Sequence, residues 1–354
     1  IILEEYEDIQ FEQFNFETIP NPNVVSWTFK NVFTSSNFIQ RIPMFFKEFS
    51  FYQKEIQTFH IEGFSFDKDV VLSFLSLISN TQIFTTLEFL IMRNLNLLNE
   101  EDILFIHSNI ISSLNYLNCL FEFELSFNDC PLVFELDDGI FNFMDIDSIR
   151  SLKLINIDLS LVGTQIRLPQ QIINFEINNS KFSFKSLYHT LESITKIKHG
   201  LCISLENMQM CENDWKQFYD FCEEYEPLTN IIEMNWSGNE IPENFVTSFC
   251  KVFLPLETLR VFQFNRSLKN DSISVFTEIC DHLEEGTLWG LEIAGGNSKD
   301  TRLGPQLVPF IKEASRLTTV EHLNISNHGL NEETIIKIID ILKESNKMLH
   351  ELAI

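Results

Sequence analysis

The residues of this chain that could do chemistry are mainly carboxylates. Asp and Glu number 51 and Lys and Arg number 25, so the formal net charge is 25 − 51 = −26. Glu122, Glu124 and Glu176 invite comparison with the paired carboxylates that hydrolyse glycosidic bonds. Such a pair needs a pocket that shifts its pKa values, whereas carboxylates on a flat, exposed sheet keep their ordinary pKa values. We therefore expect these glutamates to be solvated rather than catalytic.

The sequence lacks the common motifs of other catalytic and metal sites. It has no GxSxG, GxGxxG, P-loop or HExxH motif, and its acidic stretch 135–147 lacks the spacing of an EF-hand. The seven cysteines form no CxxC pair. A local basic cluster is more typical of a solvated helix face than of a phosphate site; its members are Lys181, Lys185, Lys196, Lys198 and His199. The sequence thus predicts no enzyme activity, no metal and no cofactor.

The acidic charge narrows the classes of partner. Nucleic acid and anionic membranes are poor partners because binding them requires surplus Lys and Arg, whereas basic protein surfaces are favoured. The longest apolar stretches, such as 70–79, fall short of the ~18 residues of a transmembrane helix, so we expect no direct membrane contact by this segment. We interpret the cysteines as small buried hydrophobic residues, which favours a reducing, cytoplasmic location.

A repeat of about 30 residues runs along the chain and must position any functional side chain. It has the form L-xx-L-x-L with Leu, Ile, Phe, Val, Met or Trp in the apolar slots, as at Ile231-Met234-Trp236. A further slot lies eight residues after the start and holds Asn at only two places, Asn128 and Asn239. Copies begin at positions 24, 56, 87, 120, 149, 172, 200, 231, 259, 288, 320 and 349.

Each copy predicts a strand, and segments with helical periodicity lie between most strands. Asp67, Asn99 and Asn331 stand where a helix N-cap is expected, and Pro242 suits the first helical position. Stacking such strand–helix units buries a common core that one unit cannot bury alone. The short interval between the copies at 149 and 172 leaves no room for a full helix after Ser160, so we expect a loop or 3₁₀ turn there.

These repeats resemble those of leucine-rich-repeat proteins, and their length with intervening helices is similar to the intracellular ribonuclease-inhibitor-like class. That class includes the CARMIL regulators of actin capping protein and the Ran GTPase-activating protein. The resemblance implies an α/β leucine-rich-repeat solenoid, with a curved parallel β-sheet on the concave face and helices on the convex face. Residues 1–23 would be an N-terminal cap or a linker from a preceding domain. Residues 24–354 would form a domain of about 11 repeats that ends within a further repeat.

Side chains between the core positions of each strand point away from the helices, because strand side chains alternate. Most charged residues in these slots are glutamates, which predicts an acidic concave face that binds basic proteins. The alternative is that these glutamates only keep an exposed sheet from aggregating. The candidate partner-binding residues are Glu62, Phe89, Ile91, Arg93, Glu122, Glu124, Phe127, Lys153, Glu176, Glu206, Glu233, Asn235, Glu292 and Asn324.

Four apolar residues fall in the same outward slots of the N-terminal half. Phe89, Ile91, Phe127 and Ile155 would form an exposed apolar spot and an anchor for a partner. The alternative is a register shifted by one residue, which would bury them.

Together, the residues and the resemblance favour a cytoplasmic, non-enzymatic scaffold that binds other proteins. The resemblance implies a CARMIL-like role in the actin cytoskeleton, with a homodimer as one possible assembly. Two alternatives stay open, namely a GTPase-activating protein resembling the Ran regulator and an inhibitor of a basic enzyme.

Overall fold

Parallel strands organise the part of the chain that the structure describes. The computed structural model describes residues 2–4, 25–30, 55–66, 68–80, 84–97, 103, 106, 109, 111, 113–132, 141–143, 145–161, 166–345 and 348–354. The chain divides into an N-terminal unit, Ile1–Ile197, and a C-terminal unit, Lys198–Ile354.

In the described residues of the N-terminal unit, one main sheet is accompanied by short strand pairings. The main strands are β1 (Ile2–Glu4), β2 (Ser26–Lys30), β3 (Thr58–Glu62), β5 (Phe89–Leu97), β6 (Glu122–Phe127), β8 (Ser151–Ile155) and β11 (Asn174–Asn178), which lie side by side in that order in parallel. The short strands are β4 (Ser65–Phe66), β7 (Phe141–Asn142), β9 (Asp158–Leu159), β10 (Ile166–Arg167) and β12 (Lys181–Phe182). Strand β4 pairs with β5, β7 with β10 and β9 with β12. The fully described helices of this unit are α1 (Lys68–Asn80) and α2 (Phe184–Ile194).

The C-terminal unit alternates strand and helix. Its strands are β13 (Leu201–Ser204), β14 (Ile231–Asn235), β15 (Val261–Gln263), β16 (Gly290–Glu292), β17 (His322–Asn324) and β18 (Glu351–Ala353), each parallel to the next. Its helices are α3 (Glu212–Glu224), α4 (Val246–Phe253), α5 (Ile273–Leu283), α6 (Leu307–Ala314) and α7 (Glu332–Ser345). Consecutive helices pack on one another from α3 to α7.

The apolar slots of the repeat form the core between strands and helices. In the copy that begins at position 231, Ile231, Met234 and Trp236 are all completely buried. The Trp236 ring lies 5.6 Å from the ring of Phe218 on α3 and 4.8 Å from that of Phe249 on α4, measured between centroids. Burying side chains of this size supplies most of the driving force for stacking the repeats. The predicted α/β leucine-rich-repeat fold is confirmed.

A left-handed residue marks the turn after most strands. It lies seven residues after the repeat start, and its φ falls between 51° and 75°. The residues in this slot are Gly63, Asn94, Asn156, Asn179, Asn207, Gly238, Arg266 and Asn327. Glycine and asparagine tolerate this conformation best, because the first has no Cβ and the second is favoured there among residues with a side chain. This left-handed slot was not predicted from the sequence.

The next slot along the repeat joins neighbouring turns by side-chain hydrogen bonds. Asn239 donates from Nδ2 to the Leu205 carbonyl (2.6 Å) and accepts the Met208 N–H at Oδ1 (2.8 Å). His328 takes the same slot, accepting the Leu303 N–H at Nδ1 and donating from Nε2 to the Ile293 carbonyl (2.7 Å). These bonds require a neutral imidazole, and burial lowers the pKa of His328.

The expectation that Asn128 fills this slot is wrong. The pairing of β5 with β6 shifts register between Met92 and Leu95, so Phe127 lies opposite Leu95. Phe127 is consequently 2% exposed, and Asn128 is exposed instead, where it donates to Asn96 Oδ1 (2.7 Å).

The predicted helix starts have mixed outcomes. Asn331 caps α7, because its Oδ1 accepts the Thr334 N–H at 2.9 Å. Pro242 precedes a 3₁₀ turn, Glu243–Phe245, rather than opening α4 directly. Asp67 and Asn99 lie outside the described residues. After Ser160 the described residues include β10, a short strand, where we expected a loop or 3₁₀ turn.

The predicted domain boundaries stay predictions. Within the segment 1–23, the described residues are those of β1, which pairs with β2 in parallel register from Ile2 opposite Thr28.

Candidate functional site

The outward slots of the N-terminal unit form what we call the N-terminal face, carried by β2, β3, β5, β6, β8 and β11. Strand register places His60, Ile91, Glu124, Lys153 and Glu176 in one row across this face. Neighbouring parallel strands lie about 4.8 Å apart, so oppositely charged side chains in adjacent strands can meet.

Glu124 is the most buried carboxylate of the N-terminal face. Its side chain is 2% exposed, and both carboxylate oxygens accept hydrogen bonds from the guanidinium of Arg93, Oε1 from Nε and Oε2 from Nη2 at 2.7 Å. The hydrogen bond to Glu124 raises the pKa of Arg93. The expectation that Glu124 is a solvated acid is wrong, because Arg93 reaches over it from the adjacent strand.

Lys153 bridges two further carboxylates. Its Nζ lies 3.3 Å from Glu122 Oε1 and 3.7 Å from Glu176 Oε1. Burial alone would lower the pKa of Lys153, but Glu176 and Glu122 raise it above the ordinary value. The expectation that these glutamates keep ordinary pKa values is wrong for Glu176, because burial raises its pKa more than Lys153 lowers it.

Glu62 is the fourth candidate glutamate of this face, and it also lies near basic side chains. One of its oxygens lies 3.9 Å from Lys30 Nζ and 3.6 Å from His60 Nε2. All four candidate glutamates of the N-terminal face therefore lie within 4.0 Å of a Lys or Arg nitrogen. The predicted acid excess is largely neutralised within the face itself.

The apolar spot on the N-terminal face is formed by partly different residues from those predicted. Phe89, Ile91 and Ile155 are half-buried, but the placement of Phe127 on the exposed surface is wrong because the register shift turns it into the core. Phe121, which sequence reasoning missed, is 43% exposed and lies 6.1 Å from Phe89 between ring centroids. The spot therefore shifts toward the residues that precede β6.

The outward slots of β13 to β18 form what we call the C-terminal face. Strand register places Cys202, Glu233, Val261, Gly290, His322 and Glu351 in one row. The next row contains Ser204, Asn235, Gln263, Glu292, Asn324 and Ala353. Three glutamates, of which Glu233 and Glu292 are half-buried and Glu351 is exposed, thus alternate with small, polar or apolar neighbours across the sheet.

Charges on the C-terminal face are less evenly balanced. Glu206 pairs with the guanidinium of Arg266, and Glu292 accepts a hydrogen bond from Asn265 Nδ2 at 3.0 Å. Among the described residues, no Lys or Arg forms an ion pair with Glu233 or Glu292. These two half-buried carboxylates therefore have no paired cation to neutralise them within the described residues.

Asn235 and Asn324 hold the turns beside the strands. Asn235 donates from Nδ2 to Ser204 Oγ (2.9 Å), and its Oδ1 accepts the Ser237 N–H (3.0 Å). Asn324 Oδ1 accepts the Ser326 N–H at 3.1 Å. Both amides therefore have local structural bonds besides any part in binding.

Trp289 and Arg266 were not predicted as parts of this face. Trp289 is 44% exposed, and its ring lies 4.0 Å from the ring of His322 between centroids. Arg266 occupies the left-handed turn slot with φ of 59°. Two sequence signals could have identified these residues. Trp289 is a tryptophan in the first variable position of its repeat, and Arg266 is a basic residue in a slot that otherwise holds Asn or Gly.

We also searched the described residues for metal sites, reactive thiols and membrane-spanning helices. They contain no group of three or more His, Cys, Asp and Glu side chains that could hold a metal ion. Burial raises the pKa of the Cys222, Cys250 and Cys280 thiols, as expected of buried hydrophobic residues, whereas Cys119 and Cys211 are exposed, contrary to the expectation. Within the same part of the chain, no helix is both long and apolar enough to cross a bilayer.

Comparison with known proteins adds distant structural likenesses. No family model and no curated protein matches the sequence. An internalin of Listeria monocytogenes shares 12% identity, covering 93% of this chain and 78% of its own, at a TM-score of 0.35. A leucine-rich-repeat protein of Leptospira interrogans shares 14% identity, covering 96% and 82%, at a TM-score of 0.27. The assignment of the leucine-rich-repeat fold rests on this chain's own buried slots and parallel strands.

Proposed function

We propose that this chain is a non-enzymatic protein-interaction module that binds basic protein surfaces through its C-terminal face. The observation that carries the proposal is the presence of Glu233 and Glu292 on an exposed sheet without a Lys or Arg ion-pair partner among the described residues. Carboxylates in this state attract cationic side chains and speed their association, and salt weakens the attraction.

The N-terminal face contributes differently to this function. Its four glutamates already contact Lys30, Arg93 or Lys153, so a basic partner would have to displace an existing cation. Of the candidate residues predicted from the sequence, we therefore assign the basic-partner role first to Glu233 and Glu292. Glu206 follows them, because it already pairs with Arg266.

A charge-reversal experiment tests the proposal. The double variant Glu233→Lys/Glu292→Lys should lose its basic partners in affinity capture from a lysate of the source cells at low salt. High salt should release the same partners from the native chain. The matched control is Glu285→Lys/Glu344→Lys, which changes the net charge equally at exposed positions outside the sheet. Equal retention of partners by both double variants would refute the proposal.

The finer assignment to a cytoplasmic regulator of the actin cytoskeleton is a separate proposal. The repeat length and the helices between strands support it, through their resemblance to the CARMIL proteins. Binding of purified actin capping protein, and co-sedimentation with actin filaments, test this assignment. Stimulated GTP hydrolysis by a small GTPase would favour the Ran-regulator alternative, and inhibition of a basic ribonuclease would favour the inhibitor alternative. Analytical ultracentrifugation tests the possible homodimer.

A further inference from the structure

Trp289 is an exposed aromatic residue with a well-defined position. It is 44% exposed, and its ring packs 4.0 Å from the ring of His322 on the adjacent strand. His322 Nδ1 in turn lies 2.8 Å from Glu351 Oε2 on β18. The indole therefore packs on a residue of β17 that is itself held by a residue of β18, and a side chain restrained before binding loses less entropy when a partner arrives.

Trp289 is next to a glycine in a part of the sheet whose neighbouring positions include glutamates. Gly290 follows Trp289 and carries no side chain, so β16 places nothing between Val261 and His322 in their row. The next outward residue of β16 is Glu292. On the adjacent repeat, the backbone N–H of Glu321 donates to the Trp289 carbonyl at 2.9 Å.

Arg260 precedes β15 beside Trp289, and one nitrogen of its guanidinium bonds to groups of the preceding turns. Arg260 Nη1 donates to the Glu257 carbonyl (3.1 Å), the Leu259 carbonyl (3.2 Å) and the Thr287 hydroxyl. These bonds hold the guanidinium at the turns that precede the strands. With this nitrogen bonded there, the indole, which is 44% exposed, is open to a cation from another protein.

We infer that Trp289 is the aromatic anchor of the C-terminal face and that it stacks against an arginine side chain of a basic partner. A guanidinium is planar and weakly hydrated, so it can lie flat on an indole while donating hydrogen bonds to nearby carboxylates. The charge of the surrounding residues matches this ligand, and tryptophan and arginine are both enriched among residues that dominate interface energies. This inference rests on the proposed function, because it concerns the same face.

The test uses the whole chain and a labelled peptide with four arginines separated by Gly-Ser pairs. Fluorescence anisotropy at low salt gives the dissociation constant. Trp289→Leu should raise that constant about fivefold, because leucine keeps an apolar contact but has no aromatic face. Trp289→Phe should raise it by less than about twofold, since phenylalanine retains the aromatic face. Ile336→Ala, at an exposed apolar residue of α7, is the matched control and should leave the constant unchanged.

Two further peptides identify the chemistry that is recognised. Replacing the four arginines with citrullines removes the charge and should abolish binding, and replacing them with lysines should weaken it about threefold because an ammonium group cannot stack. Equal binding by native chain and Trp289→Leu, or equal binding of lysine and arginine peptides, would overturn the inference.

The same assay separates this inference from the proposed function. If Glu233→Lys/Glu292→Lys loses the arginine peptide while Trp289→Leu retains it, the proposed function is supported and the inference about Trp289 is rejected. If neither variant affects binding, both proposals fail. Thermal unfolding of each variant checks that the fold is intact; Trp289→Phe provides a second reading if Trp289→Leu is unstable.

Discussion

The N-terminal and C-terminal faces use the same slots of the same repeat but treat their charges differently. On the N-terminal face, Lys30, Arg93 and Lys153 lie within 4.0 Å of four glutamates, one of which, Glu124, is 2% exposed. On the C-terminal face, Arg266 pairs with Glu206, while Glu233 and Glu292 have no Lys or Arg ion-pair partner among the described residues. Charges paired within one face are already occupied by each other, whereas charges left open remain available to another molecule.

The largest effect should come from breaking the buried pair of the N-terminal face. Arg93→Leu leaves the Glu124 carboxylate buried without its cation, which should lower the free energy of unfolding by about 2–4 kcal/mol. Urea denaturation at neutral pH measures this change.

Two controls sharpen that measurement. The double variant Arg93→Leu/Glu124→Leu should recover most of the lost stability, because it removes both charges together. Lys337→Leu breaks an exposed pair with Glu333 on α7 and should cost less than about 0.5 kcal/mol. A loss in Arg93→Leu as small as that in Lys337→Leu would show that burial of Glu124 carries no energetic weight.

An intermediate effect, of opposite sign, should come from Arg266. Its left-handed backbone suits Asn better, so Arg266→Asn should raise the free energy of unfolding by about 1 kcal/mol despite losing the exposed pair with Glu206. The same change releases the Glu206 carboxylate and should tighten binding of a basic peptide. Chemical denaturation and peptide titration check the two effects separately.

Arg266→Leu is the matched control, because it keeps the strained backbone and removes only the ion pair. It should be slightly less stable than the native chain. If Arg266→Asn and Arg266→Leu change stability equally, the left-handed conformation is not the source of the effect.

The smallest effect should come from Glu176 and should depend on pH. Burial raises the pKa of Glu176 in the folded chain, so its ionisation opposes folding as pH rises from the unfolded value of about 4.3 through the folded value. Glu176→Gln should therefore be more stable than the native chain at pH 7, by less than about 1 kcal/mol, since Lys153 retains Glu122. The difference should vanish near pH 3.5, where both states of the native carboxyl are protonated.

Stability measured at both pH values tests this sign. A Glu176→Gln variant that is less stable than the native chain at pH 7 would mean that the contact with Lys153 outweighs the cost of burying the carboxylate.

The spacing of apolar residues predicted the fold because each slot is repeated many times along the chain. Substituting Phe, Ile, Met or Trp for Leu does not disturb that pattern, as the complete burial of Ile231, Met234 and Trp236 shows. One irregular turn was enough to misplace a residue. The register shift between β5 and β6 buries Phe127, and alternation along one strand cannot reveal a shift in its pairing with another.

The state of each charged group could not be predicted in the same way. Arg93 and Glu124 are 31 residues apart, and their contact depends on how adjacent strands align. Likewise, the position of Trp289 depends on His322, which lies in the following repeat. Alternation along a strand indicates which residues face outward, but the side chains from neighbouring repeats decide which of them remain available.

The left-handed turn slot lies at a fixed position in each repeat, so it can mark the repeats when related sequences are aligned. The apolar slots accept Leu, Ile, Phe, Met or Trp, so their identities can drift while the core stays filled. The turn slot requires a left-handed backbone, which fewer residue types adopt. Among the described residues, eight turn slots have left-handed φ; seven of them hold Asn or Gly, and the eighth holds Arg266. Diverged relatives could therefore be aligned by the regular spacing of Asn and Gly in this slot rather than by the leucines of the core. Duplication or loss of a whole repeat between two such turns would leave the spacing of the remaining turn slots unchanged.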